Sequence, residues 1–181
     1  QVAHLIRSKY DCIISTSDSI NKDNSLLNCR IEGLDNDKPD LIIIDRNLKL
    51  RKKLSLFNLP KTRKIFIFTA SNNKKKISFF KKIGVRIIKI DSLISKNDFL
   101  KLFKKILSIS NGRVLIETGL IFLKELFKFK LIDNLYIFKT NEKLRNKGYN
   151  NINVNFIKKI KLRNFIKVNL GDDKLYKIRM K

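Results

Sequence analysis

Only one of the 181 residues is histidine, two are cysteine, and 16 acids face 41 lysines and arginines. Each scarcity excludes something. His4 stands in the first turns with no serine or cysteine motif beside it, which argues against a nucleophilic triad; a histidine so placed reads as structural or surface. Cys12 and Cys29 sit singly and apart. They form no CxxC or Cys/His array, so no metal is expected, and a reducing compartment such as the cytoplasm is the simpler assumption. No apolar run is long enough to span a bilayer, so a membrane is not an expected partner. The opening Gln1-Val-Ala-His-Leu-Ile-Arg mixes polar and apolar residues and does not read as a signal peptide. Neither a GxGxxG fingerprint nor a P-loop lysine motif occurs. A first residue that is Gln rather than Met is what a fragment or a processed product would show.

What is present is 43% hydrophobic residues in a length suited to one domain, 1–181, with a real core. The formal charge of +25 falls in the range of nucleic-acid binders. The basic residues, however, are mostly lysines spread along the whole chain beside many Ile and Asn, a trio that an A+T-biased coding sequence produces. Lys74-Lys75-Lys76 is the one run of three lysines, and it reads as a solvated helix start. The surface is thus expected to be evenly charged, with nucleic acid not the expected partner. The charge still favours anionic ligands in any cleft.

Short β-branched runs alternate with helical periodicity. Cys12-Ile-Ile-Ser-Thr, Leu41-Ile-Ile-Ile, Ile65-Phe-Ile-Phe, Val85-Arg-Ile-Ile and Val114-Leu-Ile read as buried strands. Lys74–Ile83 reads as a helix ended by Gly84. Asp98–Ile109 places Phe99, Leu102, Phe103, Ile106 and Leu107 on one face and Lys101, Lys104 and Lys105 opposite. Residues 120–130 repeat that design. The alternation predicts βαβ units and a mostly parallel central sheet flanked by helices. Beyond about residue 133, Leu135-Tyr-Ile-Phe, Val154–Leu162, Phe165–Leu170 and Leu175–Met180 read as an antiparallel, strand-only tail. Asp172-Asp173 beside Gly171 reads as a hairpin turn. Asn141–Asn151, Asp35–Pro39 and Leu59-Pro60 read as loops.

Three features carry candidate chemistry. Glu117 ends the strand Val114-Leu-Ile, where a parallel sheet binds ligands, and the following helix offers free N–H groups to an anion. Gly119 would let a ligand approach the backbone. The alternative is that Glu117 only meets the helix N-terminus, with Thr118 as its cap. The second feature is Ser15–Arg30, a strand running into a long polar loop that offers hydroxyls to a phosphate or is merely solvated. The third is the pair Arg7 and Arg30, since a guanidinium holds phosphate bidentately where lysine cannot; each alone also fits a surface salt bridge.

Taken in order, these segments resemble the reductase domain of bacterial bifunctional riboflavin-biosynthesis proteins. The carrying residues are Leu5-Ile-Arg-Ser, Asp11-Cys-Ile-Ile, Ser19–Arg30, Ile42-Ile-Ile-Asp-Arg, Ile116-Glu-Thr-Gly and Leu131-Ile-Asp-Asn-Leu. Their order and spacing hold across nearly the whole chain. The resemblance implies an α/β, dihydrofolate-reductase-like fold and NADPH-dependent reduction of 5-amino-6-(5-phosphoribosylamino)uracil to its ribityl product. By position, Arg7, Leu27, Arg30 and Glu117 would contact this phosphorylated ribosylaminopyrimidine. Ser19, Asp23, Arg46, Gly119, Leu120 and Ile121 would line the NADPH site. Arg46 stands where the family has serine, so it either pairs with a cofactor phosphate or fills its place. Thr118-Gly119 replaces a glycine pair, and Lys22-Asp23-Asn24-Ser25 keeps one of two acids and loses a proline. The resemblance also implies a homodimer, for which the C-terminal strands offer edges. It implies a preceding strand and a zinc deaminase domain as well, and neither lies within these 181 residues. Competing readings are a basic nucleic-acid-binding protein, a fold relative acting on a folate or another pterin, and an inactive remnant.

Overall fold

Five short strands lie parallel in the order β4-β3-β2-β1-β5: β1 (Cys12–Thr16), β2 (Asp40–Ile44), β3 (Ile65–Thr69), β4 (Arg86–Lys89) and β5 (Val114–Ile116). The computed structural model describes residues 1–34, 39–58, 63–110, 112–141 and 155–180. The three inner strands are apolar runs because helices or loops cover both of their faces. Register sorts the side chains. Ile13 pairs with Leu41 and Leu115, and Ile43 pairs with Ile67. These residues join Ile20, Leu48, Leu50, Leu54, Leu56 and Phe80 in one core on one face. The alternate residues Ile14, Ile42, Phe66 and Phe68 point the other way and are also buried.

Helix α1 (Val2–Ser8) precedes β1, and α2 (Ser17–Asp23) follows it. Helix α3 (Lys74–Lys82) runs between β3 and β4. It ends as expected at Gly84, whose φ of +85° lets the N–H groups of Gly84 and Val85 turn back on Lys81 and Phe80 at 3.0 Å. Helix α4 (Lys96–Ser110) must return from β4 at one edge to β5 at the other. A right-handed crossover then requires the opposite face. The contact at 3.5 Å between Cys12 Sγ and Ser110 Oγ, on the Ile14 side of β1, agrees with that placement.

The polar stretch after β1 departs from expectation. Ser17–Asp23 is helical rather than loop, because Thr16 caps it by accepting from the Ser19 N–H and Ile20 anchors it in the core. One buried apolar residue in seven is too little for a helical period to show in sequence. The turn into β5 is also tight: a Cβ on Gly112 would fall 2.2 Å from Asp11 Oδ2.

The chain divides into two compact units, Gln1–Gly119 and Leu120–Lys181. The second contains α5 (Leu120–Lys128), β6 (Asn134–Lys139), α6 (Asn155–Lys158), β7 (Phe165–Ile166) and β8 (Lys174–Arg179). Its strands form an antiparallel sheet in the order β6-β8-β7. Helix α6 replaces part of the strand expected over Val154–Leu162. Phe156, Ile157 and Ile160 recur at helical spacing, and the Phe156 ring packs edge-on against Phe127 of α5 at 5.0 Å. The strand expected over Phe165–Leu170 shrinks to Phe165–Ile166. Gly171 takes a φ of +62° in the turn before Asp172. The loops expected at 35–38, Leu59-Pro60 and 142–151, together with Val154, lie outside the described residues.

Candidate functional site

After β1 the chain winds through β2, β3 and β4 on one side, and then β5 docks on the other side of β1. The carboxyl ends of β1 and β5 therefore flank a topological switch point, where open α/β sheets bind ligands. Thr16 ends β1, Asp45 follows β2 and Glu117 follows β5.

Glu117 is fixed there by its own backbone. Its N–H donates to Ile14 O at 2.9 Å, and its carbonyl accepts from Ser15 Oγ at 2.7 Å. Its carboxylate meets Arg7, from the last turn of α1, in a bidentate pair with Nε–Oε1 and Nη2–Oε2 both 2.8 Å. The hydrogen bond to Glu117 holds the Arg7 guanidinium above the usual arginine range. Arg7 Nη1 also donates to Asn28 O at 3.1 Å. The side chains are 15% and 30% exposed, so the pair remains open to a ligand from solvent.

Donors hold the segment Leu26–Arg30 at its carbonyls. Arg63 donates to Leu27 O at 2.5 Å and to Leu26 O. Burial, with Arg7 nearby, pushes the Arg63 guanidinium down to about 10, which leaves it charged at neutral pH. His4 Nδ1 lies 2.9 Å from Asn28 O and 3.2 Å from the Arg30 N–H. One tautomer donates to the first, and the other accepts from the second. Burial lowers the His4 pKa, against the opposing pull of the hydrogen bond to Asn28 O.

Leu27 takes a φ of +49° and turns its side chain into the core. The Arg30 side chain is exposed, and its guanidinium makes no hydrogen bond among the described residues. Ser19 Oγ lies 3.0 Å from Thr16 Oγ1 and accepts the Gly119 N–H at 3.0 Å. Asp23 is exposed at the end of α2. Arg46 is exposed too, with its carbonyl bound by Thr69 Oγ1 at 3.0 Å and the Ala70 N–H at 2.9 Å. Leu120 and Ile121 open α5 in the second unit, Ile121 at 69% exposure. The fold thus joins Arg7 to Glu117 and Ser19 to Gly119. Among the described residues, no hydrogen bond or ion pair joins Asp23 or Arg46 to the other expected residues.

Sequence reasoning missed Arg63, Asn28 and Asp45. Asp45 is 2% exposed and accepts from Ser17 Oγ at 2.9 Å and from the Lys49 and Leu50 N–H groups at 2.7 and 2.8 Å. An acid directly after an apolar strand was its available signal, the same one that marks Glu117. Arg63 and Asn28 carry no local signal, because their partners lie 36 and 21 residues away. Among the described residues no group of three His, Cys, Asp or Glu could hold a metal.

Residues 1–140 match the RibD C-terminal domain family. No curated protein sequence matches the chain. Among solved structures, RibD of Acinetobacter baumannii superposes with a TM-score of 0.73 at 19% identity, over 99% of this chain and 49% of that one. The riboflavin biosynthesis reductase Rib7 of Saccharomyces cerevisiae gives 0.74 at 20% identity, over 98% and 78%. The Thermotoga maritima diaminohydroxyphosphoribosylaminopyrimidine deaminase/5-amino-6-(5-phosphoribosylamino)uracil reductase gives 0.66 at 22% identity, over 97% and 47%. The chain spans about half the length of the Acinetobacter protein. At identities below 25%, these likenesses show a common α/β fold. By its match over residues 1–140, the chain belongs to the RibD C-terminal domain family.

Proposed function

We propose that this chain is the reductase part of a riboflavin-biosynthesis enzyme, reducing the ribosyl group of 5-amino-6-(5-phosphoribosylamino)uracil to a ribityl chain. The observation that carries this reading is the Arg7–Glu117 pair at the switch point of a parallel sheet, in a chain of this family. The carboxylate accepts from ligand hydroxyl or amine groups. The arginine offsets its charge and fixes its orientation. Arg30, with its guanidinium free of described partners, is the residue we assign to the 5′-phosphate.

A nicotinamide cofactor fits the neighbouring residues. The Ser19 hydroxyl, 3.0 Å from Thr16 Oγ1, accepts the Gly119 N–H where β1 and β5 end, and a Cβ on Gly119 would come within 3.4 Å of Ser19 Oγ. Arg46, exposed after β2, suits a cofactor phosphate, which favours NADPH over NADH. When bound, the cofactor supplies the hydride for C1′ of the ribosyl group. The chain's own task is to hold that carbon and the cofactor together and to exclude competing geometries. Asp23, Leu27, Leu120 and Ile121 complete our assignment of the two binding regions, in a single reductase domain that acts as a homodimer.

The test is a titration with NADPH and with the phosphoribosylaminopyrimidine, repeated for Glu117→Gln. We expect the variant to bind the pyrimidine about tenfold more weakly, roughly 1.4 kcal/mol, with little change in Tm. A large fall in Tm with unchanged binding would return Glu117 to a structural role.

A further inference from the structure

Asp45 follows β2 at the carboxyl end of the sheet and is 2% exposed. A carboxylate withdrawn from water is costly unless hydrogen bonds replace its hydration. Its three described donors are uncharged, and they come from two separate segments. Ser17 Oγ, at the first residue of α2, gives one bond of 2.9 Å. The Lys49 and Leu50 N–H groups give two more, of 2.7 and 2.8 Å, so the same carboxylate also closes the turn 45–50.

That turn is strained. Leu48 sits in it at a φ of +54°, a left-handed conformation that residues with a Cβ disfavour. Bonds at both ends hold it there: its N–H donates to Asp45 O at 3.0 Å, and its carbonyl accepts from Lys76 Nζ at 2.6 Å. Arg46 stands in the same turn. Its carbonyl is tied to Thr69 and Ala70, and its side chain is exposed.

The other segment is α2, which buries one apolar residue, Ile20. So small an apolar contact fixes a helix poorly, and directional bonds complete its attachment. Asn21 accepts the Arg51 N–H at 2.9 Å and donates to Lys49 O at 3.1 Å. Asn24 pairs in the same way with the N–H and hydroxyl of Ser55, at 3.0 and 2.8 Å. Helix and turn are thus bonded into one unit, with the Asp45 carboxylate at its buried centre. We infer, on the reading that Ser19 and Arg46 line the cofactor site, that Asp45 is a positioning residue for the cofactor. It fixes Ser19 through Ser17, two residues earlier, and Arg46 through the turn that it closes. Contacts held rigid before binding lose less freedom on binding, so the Asp45 bonds are read out as affinity. The gain is largest for the cofactor whose phosphate Arg46 can take.

Dissociation constants for NADPH and for NADH, measured by fluorescence titration without substrate, test this in the wild-type chain and its variants. Arg46→Gln should weaken NADPH about tenfold and leave NADH within about twofold. Asp45→Asn should lower the preference for NADPH over NADH by about fivefold. Adding Arg46→Gln to Asp45→Asn should lower it by no more than about a further twofold, because the arginine is then already misplaced. Ser17→Ala, a milder change, should lower the preference roughly two- to threefold, and it decides the matter if Asp45→Asn does not fold. A merely structural Asp45 would lower Tm and the fraction of competent protein, which weakens both cofactors alike and leaves the preference unchanged. That result, alongside a preference lost in Arg46→Gln, overturns the positioning role and leaves the cofactor reading standing. If Arg46→Gln itself leaves the preference unchanged, or the wild type binds neither cofactor, both are overturned.

Discussion

Glu117 and Arg63 show how much a single charged residue's meaning depends on its partner. In a chain with 25 surplus positive charges, any carboxylate can find a lysine. Glu117 instead meets an arginine through two parallel bonds while its backbone is tied to β1. That geometry fixes the carboxylate's direction, which a mobile lysine would not. Arg63 binds two successive carbonyls, Leu26 and Leu27, with no carboxylate partner in the described ion pairs. A lysine ammonium is a point charge on a flexible stem and lacks the planar fork for this pair. Arg63→Ala should cost about 2 kcal/mol in urea unfolding and speed hydrogen exchange at Leu27–Arg30. Unchanged exchange there would show that the segment holds its shape without the arginine. Glu117 could be singled out from sequence because an acid closing an apolar strand is unusual. Arg63 could not, because nothing around it differs from any other basic residue in a loop.

The elements formed by strong local periods were legible, and those formed by a few anchors were not. Leu41-Ile-Ile-Ile and the face Phe99, Leu102, Ile106 each carry enough apolar residues to declare strand and helix. Helix α2 rests on Ile20 and the Thr16 cap, while α6 rests on Phe156 meeting Phe127. The start of α4 shows how local chemistry sharpens a boundary. Ser95 Oγ accepts the Asp98 N–H at 3.2 Å, and Asp98 Oδ2 accepts the Ser95 N–H at 3.0 Å, a reciprocal capping box. Asp98 also accepts from Ile94 N–H and Ser92 Oγ. The backbone N–H groups of Ser95 and Ile94, then Ser92, hold its carboxyl well below the usual carboxylate range. A lowered pKa stabilises the fold above the unfolded value and stops doing so as pH falls toward the folded one. Asp98→Ala should therefore melt below wild type at neutral pH. The gap should stay constant down to about pH 5 and narrow below about pH 4. A gap independent of pH across that range would mean that the carboxylate charge is not involved.

At the scale of the whole molecule, several of the few acids are held by specific donors. Glu117 pairs with Arg7, Asp45 is buried under three donors, Asp98 caps α4, and Asp11 binds the Arg113 N–H at 2.6 Å. Lys74 and Lys75, by contrast, stand exposed at the start of α3. We propose that the basic surface has no specific polyanion partner. Binding to a short DNA duplex should weaken by about tenfold or more between roughly 50 and 200 mM salt, and Glu117→Gln should not alter it. Tight binding that resists salt would favour the nucleic-acid reading instead. No helix among the described residues is long and apolar enough to cross a membrane.

The sequence by itself determined the parallel α/β core, because strand and helix periods, the stop at Gly84 and the acid after β5 are all local signals. Only the tertiary structure decided that Glu117 meets Arg7 across 110 residues and that Arg63 and His4 hold Leu26–Arg30. The Arg7–Glu117 contact arises where β5 returns beside β1 after four strands have been laid down. The others join segments 21 to 37 residues apart, and no period along the chain records them.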